Sequence, residues 1–188
     1  MNPLPEVLAL GGYAYAGKDS VAQVLVERYG YTRIAFADAV RDILEAMNPL
    51  VPTPYGSVNL AWVIKDVGWD VAKREYPEVR RLMQRLGGSV RENIGEDAWI
   101  QAALRKAEGH PRVVYTDVRH RNELEALADL DHYSIWISRP GIGPLNQDVS
   151  ENSLGRLDFD FGFFNEDDLA DLPDNVGLFM SNIFGVEP

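Results

Sequence analysis

The sequence predicts an α/β fold: a parallel sheet of about five strands with helices on both faces, a helical insertion and a lid loop. Three observations predict it. Val7, Leu8 and Leu10 form a short apolar run that leads into Gly12, four intervening residues, Gly17 and Lys18, then into an amphipathic stretch with Val21, Ala22, Val24 and Leu25. That order of strand, glycine loop and helix is the context a phosphate-binding loop requires. Farther on, strand-like and helix-like runs alternate, as parallel strands joined by helical crossovers do. The alternation is interrupted after the second strand by a proline-rich stretch and a locally basic region.

The loop comprises Gly12, Tyr13, Ala14, Tyr15, Ala16, Gly17, Lys18, Asp19 and Ser20. Glycines let the backbone turn its N–H groups around an anion, and the helix N-terminus adds a positive dipole end. Lys18 is placed to reach the outer phosphates as a mobile point charge. The position after the lysine is usually Ser or Thr, whose hydroxyl binds magnesium; here it is Asp19, followed by Ser20. Either Asp19 or Ser20 offers an oxygen to the metal, or the metal is held mainly elsewhere. Asp19 is also an acid in a first helical turn, where the dipole favours it.

A chain of 188 residues with 46% hydrophobic content is long and apolar enough for one well-buried domain. Its net charge of −11 argues against a binder of nucleic acid polymers. Cysteine is absent, which excludes disulfides, thiolate metal sites and thiol catalysis. No apolar run approaches membrane-spanning length and no charged-then-apolar leader is visible, so a cytoplasmic protein with no membrane partner is expected. Neither a monomer nor a homodimer is favoured by the sequence.

The remaining elements follow in order. Tyr31–Phe36 reads as a second strand, and Asp38 as the cap of a helix carried by Val40, Ile43, Leu44 and Met47. Asp38 and Arg41 also lie just past the end of that strand, at the edge where ligands sit in open α/β sheets. Pro49, Pro52 and Pro54 make residues 48–59 a loop. Short helices are expected over Leu60–Tyr76 and Pro77–Leu86, with Gly87-Gly88 ending the second. Lys73, Arg74, Arg80, Arg81, Arg85 and Arg91 make this region basic. Arg81 and Arg85 share a helix face with Gln84, which reads either as a solvated surface or as a second anion site. A helix from Glu96 to Ala107 precedes a third strand, Arg112–Asp117, ending in a carboxylate that is either a cap or part of a magnesium shell. Arg119 follows. Arg121–Leu130 is a helix and Tyr133–Ser138 a fourth strand. Arg139-Pro-Gly-Ile-Gly-Pro144 opens a candidate lid, with an ordinary surface loop as the alternative. Phe159–Phe164 is a fifth strand, and Asp167–Met180 supplies short closing helices. Residues 1–188 thus read as one domain with an insertion at about 48–93 and a lid at about 139–151. The histidines have no metal spacing and receive no role.

The ordered series Gly17-Lys-Asp-Ser20, Ala35-Phe-Ala-Asp38, Arg81-Leu-Met-Gln-Arg-Leu-Gly-Gly88 with Arg91, Asp97-Ala-Trp99, Thr116-Asp-Val-Arg-His-Arg-Asn-Glu123, Arg139-Pro-Gly141 and Val149-Ser-Glu151 resembles the deoxynucleoside monophosphate kinases of bacteriophages. The resemblance runs through most of the chain, and family members commonly share the Asp after the lysine. It implies a P-loop NTPase of nucleoside monophosphate kinase-like fold. It also implies transfer of the γ-phosphoryl group of ATP to a deoxynucleoside 5′-monophosphate, with Mg2+, in the host cytoplasm if the chain is phage-encoded. By position, Lys18 would hold the donor phosphates, and Asp38, Arg41, Arg81 and Gln84, with Arg85 and Arg91, would serve the acceptor. Asp117 and Arg119 would sit by the reacting phosphates and Arg139 near the lid or donor base. Asp19, Ser20 and Asp117 are the metal candidates. Two departures are Ala16, where a small polar residue or glycine is common, and Val149, where a His often precedes Ser-Glu; Val149 receives no role.

Phosphoryl transfer asks mainly for two aligned phosphates, charge neutralisation and exclusion of water. The rivals are another small-molecule kinase of the same fold (phosphomevalonate kinases resemble the chain in their Gly-Lys-Asp loop), a nucleotide-hydrolysing switch, and a non-catalytic nucleotide-binding module. No Asn-Lys-x-Asp guanine signature is present.

Overall fold

The computed structural model describes residues 4–144 and 153–186. It forms two compact units, one made of Met1–Phe36 and Leu104–Pro188, the other of Ala37–Ala103.

The first unit is built on a five-stranded parallel sheet flanked by helices, as the sequence predicts. Strand β1 (Val7–Gly11) is central, and every one of its residues is buried. It pairs with β5 (Val113–Val118) on one side and β6 (His132–Ser138) on the other. Strands β2 (Thr32–Ile34) and β7 (Phe161–Phe164) form the edges, giving the order β2-β5-β1-β6-β7. A strand buried on both faces must be apolar throughout, which is why the Val-Leu-Ala-Leu run is a reliable signal. Helix α1 (Lys18–Tyr29) lays Val21, Val24, Leu25 and Tyr29 onto the core, and Gly30, with φ 69°, closes it by donating to carbonyls of its last turn. Helix α6 (Arg121–Glu125) is shorter than the predicted Arg121–Leu130; turns take up the rest. A single turn of 3₁₀ helix, Arg156–Asp158, precedes β7. Asp160 accepts the backbone N–H and the hydroxyl of Ser134, both at 2.8 Å, and ties the edge strand to β6 before their ladder starts.

One continuous helix, α7 (Leu172–Phe184), replaces the short closing helices expected. Leu172, Val176, Met180 and Phe184 repeat every four residues and are buried in the core beside α1 residues Val21 and Leu25.

The second unit contains α2 (Asp38–Met47), an antiparallel hairpin of β3 (Leu50–Thr53) and β4 (Gly56–Asn59), α3 (Leu60–Glu75), α4 (Pro77–Asn93) and the start of α5 (Ala98–Ala107). The hairpin corrects the loop predicted for residues 48–59. Both strands of a two-stranded ribbon are edges, so Pro52 costs no ladder bond that a third strand would need. The tight Thr53-Pro-Tyr-Gly56 turn is closed by the Thr53 hydroxyl, which donates to the Gly56 carbonyl at 2.6 Å. Gly87-Gly88 does not end α4 either. The helix runs on to Asn93, because Leu86 and Val90 on its inner face pack against a core that includes Val63, Val79 and Trp99. Trp99 also donates its indole N–H to the Gly87 carbonyl at 3.0 Å. Two glycines cost such a helix about 1 kcal/mol each, less than this burial returns. A break falls instead within α3, at Gly68, whose φ of 74° and ψ of 167° are non-helical.

Met180 and Leu178 test the inner and outer faces of α7. Met180 is fully buried and Leu178 is 56% exposed. Met180→Ala should lower the unfolding free energy by about 2–5 kcal/mol, and Leu178→Ala by roughly 0.5 kcal/mol or less. Urea denaturation of both variants measures this; equal losses would contradict the packing described.

Candidate phosphate site

The turn from β1 into α1 is shaped by three backbone positions in the left-handed region: Gly12 at φ 138°, Tyr15 at 67° and Gly17 at 96°. Reversals of this kind turn successive N–H groups to one side, the arrangement that receives an anion. Gly12 and Gly17 are required on two counts. A Cβ at Gly12 would collide with the Ile137 carbonyl oxygen, and one at Gly17 with the Asn165 side-chain amide. Tyr15 is the exception, a bulky residue held at positive φ with its side chain 53% exposed; such strain gathers at functional sites. Tyr13 packs edge-on against Trp136, ring centroids 5.3 Å apart.

Lys18 is 8% exposed. Its Nζ donates to the Gly12 carbonyl at 2.7 Å and the Tyr13 carbonyl at 2.8 Å, so the ammonium lies across the base of the loop. Asp19 and Ser20 open α1. Asp19 is exposed and forms a 3.5 Å ion pair with Arg33 of β2, a partner the sequence did not suggest.

The other predicted residues of this unit stand at the same carboxyl edge of the sheet. Register sets Gly11 opposite Val118 of β5 and Trp136 of β6, so Gly12, Arg119 and Arg139 all lie just beyond strand ends. Asp117, next to that register point, accepts the Phe36 N–H at 2.7 Å and fixes the end of the β2 segment; the aromatic ring of Phe36 in turn stacks on Tyr115, centroids 5.1 Å apart. Burial pushes the Tyr115 phenol up to about 12, which keeps it neutral. Arg119 is half-buried, and its backbone is set by Glu123, whose buried carboxylate accepts the N–H groups of Arg119 at 2.6 Å and His120 at 2.9 Å. Arg139 is exposed at the end of β6. The lid prediction is described only as far as Pro144; residues 145–151, including Val149, lie outside the described residues.

Within the helical unit, Asp38 is the first residue of α2 and not its cap; Ala37 holds the cap position without a side-chain bond. Asp38 pairs with Arg41 at 3.3 Å, and the Arg41 guanidinium lies 5.9 Å from the Trp69 ring. The Arg41 Nε–H is buried with no hydrogen-bond partner among the described residues. On α4, Val79, Leu82, Met83, Leu86 and Val90 face the core; Arg81, Gln84 and Arg85 are exposed on the opposite side. Arg81 grips Glu78 through Nε and Nη2, both at 2.6 Å. Those hydrogen bonds hold the Glu78 carboxyl below its usual range and push the Arg81 guanidinium up. Arg91 is half-buried near the end of the helix.

Asn165, Glu123 and Arg33 were not legible as site residues. The only available signal for Asn165 was a polar side chain directly after an aromatic strand. Among the described residues, no group of three or more His, Cys, Asp or Glu forms a metal cage. Asp19, Ser20 and Asp117 do offer hard oxygen donors. Magnesium takes one or two such groups together with phosphate oxygens and water, so this donor set suits it.

The sequence model of the family described as Deoxynucleotide monophosphate kinase matches residues 56–176, more than half of the chain. The match starts after the phosphate loop and spans α3 to the first turn of α7. A protein of Acanthamoeba polyphaga mimivirus, provisionally described as a deoxynucleotide monophosphate kinase, is 25% identical over 161 residues, covering 80% of this chain and 83% of that one. Among solved structures, a dephospho-CoA kinase from Campylobacter jejuni is loosely similar, with 12% identity, 97% and 98% coverage of this chain and that one, and a TM-score of 0.45. A shikimate kinase from Aquifex aeolicus is likewise 12% identical, with 96% and 99% coverage and a TM-score of 0.45. A parallel sheet with a glycine loop at the tip of its central strand, together with that family match, places the chain: it belongs to the deoxynucleotide monophosphate kinase family.

Proposed function

We propose that this chain transfers the γ-phosphoryl group of ATP to a deoxynucleoside 5′-monophosphate, giving the diphosphate, with magnesium. The observation that carries this reading is the phosphate loop, with Lys18 lying across its base, in a chain of this kinase family. Lys18 and the loop N–H groups bind and orient the donor phosphates. Arg119 and Arg139 neutralise charge as it develops on the transferred group. Asp19, Ser20 and Asp117 would hold the magnesium, which when bound supplies charge neutralisation on the phosphate oxygens. No general base is required, because the acceptor phosphate is already an anion. Asp38, Arg41, Arg81, Gln84, Arg85 and Arg91 of the helical unit serve the acceptor. One feature supports their assignment: the Arg81 fork grips a carboxylate through two of its nitrogens, the geometry with which arginine also takes phosphate.

The direct test is phosphoryl transfer from ATP with magnesium across all deoxy- and ribonucleoside monophosphates. Turnover with at least one deoxynucleotide is expected. ATP consumption independent of every acceptor would point to a hydrolase, and transfer only to a non-nucleotide phosphate would point to another small-molecule kinase.

Four variants apportion the roles. Lys18→Ala should cost roughly two orders of magnitude or more in turnover, the scale of a lost transition-state charge contact, with the circular dichroism spectrum retained; a folded variant with normal turnover would remove the loop from the mechanism. Asp117→Asn keeps an oxygen for the Phe36 N–H, so the fold should hold. Turnover should drop sharply and the magnesium dependence should change. Unaltered magnesium titration and rate would leave Asp117 a purely structural anchor. Arg81→Ala should raise the acceptor KM or lower turnover, while ATP affinity measured by calorimetry stays within about threefold. Gln84→Ala should shift preference among bases more than it changes the best rate. If Arg81→Ala weakens ATP and spares the acceptor, the helical unit serves the other substrate.

A further inference from the structure

We infer that Asn165, just past the end of β7, is a positioning residue that sets the phosphate loop through the Ala16–Gly17 peptide. The inference rests on the phosphate-site reading above and assigns a residue outside the loop to it.

Asn165 is 5% exposed. Its Nδ2 donates to the Ala16 carbonyl at 2.9 Å, spanning 149 positions of sequence. The asparagine is itself fixed, because its backbone N–H donates to the Ser138 carbonyl at 2.8 Å and so continues the β6–β7 pairing by one residue. Gly17 answers it from the other side: a Cβ there would overlap the Asn165 amide. Asparagine and glycine are therefore specified as a pair. The amide orientation is dictated as well, since a carbonyl oxygen can only accept.

The consequence is electronic as well as steric. The Ala16 carbonyl and the Gly17 N–H are the two ends of one peptide group. A hydrogen bond accepted at the oxygen polarises the N–H and strengthens it as a donor. It also fixes the plane of that peptide at the last turn before α1, where the loop N–H groups and Lys18 meet the phosphates. Asn165 touches neither substrate nor reacting atoms and acts through the loop.

Asn165→Leu keeps the volume and removes the donor. The full-length variant is compared with wild type by calorimetry against ATP and against inorganic tripolyphosphate, both with magnesium, and by urea denaturation without ligand. The expected result is a loss of about tenfold in affinity for both ligands, the scale of one hydrogen bond in a closed site. The acceptor KM should stay within about twofold, a change too small to place Asn165 at the acceptor. Asn165→Ser, which cannot span to Ala16, is the second variant should the leucine prevent folding, and the same loss is expected of it. Weakened ATP with unchanged tripolyphosphate would overturn the inference, because Asn165 would then act on the nucleoside end. Lowered stability with both affinities unchanged would overturn it too, leaving a structural bond only. If wild type binds both ligands and Asn165 variants weaken both, but no monophosphate is phosphorylated, the inference stands and the proposed reaction fails. If wild type binds neither ligand, both fall.

Discussion

Between β1 and α1 the chain passes through a space with no room for side chains at two points. The Ile137 carbonyl fills the place of a Cβ at Gly12, and the Asn165 amide fills it at Gly17. The walls of this space come from β6 and from the residue after β7, so the loop takes its shape only when the parallel sheet is complete on that side. The buried Lys18 ammonium is held by the same turn, through the Gly12 and Tyr13 carbonyls. Desolvating an ammonium group is costly unless oxygens replace its water, and here the loop supplies them. Glycine positions, sheet order and lysine placement are thus one constraint and not three.

The charge distribution follows a similar economy. The chain carries −11 overall, yet the outer face of α4 presents Arg81 and Arg85 to solvent. An acidic background repels polyanions in general, while arginines gathered on one face make a local positive patch. In the described state Arg81 spends its fork on Glu78. Such an exposed pair contributes little to stability, so opening it costs little.

What could be read from the sequence, and what could not, divides along physical lines. The strand–loop–helix unit and the parallel order were legible because buried parallel strands are apolar throughout and glycine spacing is rigid. The β3–β4 hairpin was not, because proline is a strong breaker in a wide sheet and a weak one in a two-stranded ribbon, and sequence does not disclose the width. Gly87-Gly88 misled for a related reason: the pair looks like a stop signal, but tertiary packing of Leu86, Val90 and Trp99 outweighs local propensity. Within the site, residues of the contiguous motif were readable. Asn165 and Arg33 were not, since each acts on backbone or charge brought near by the fold; Glu123 works locally, on N–H groups three and four residues before it. Asp38 was half legible. Its place at the start of α2 was right, but its carboxylate turns to Arg41 and not to the helix end.

The central position of β1 has a consequence for the order of events as the chain is made. Val7 pairs with Val113 and His132, both in the second half of the sequence, whereas Ala37–Ala103 finds its partners within itself. At a synthesis rate of about 5–20 residues per second, the helical unit leaves the ribosome able to form its contacts while the apolar Val-Leu-Ala-Leu strand is still without neighbours. The segment that anchors the finished sheet is the first of its strands to be synthesised and waits longest for a partner. Its wait for a first sheet partner is therefore set by the time taken to reach Val118.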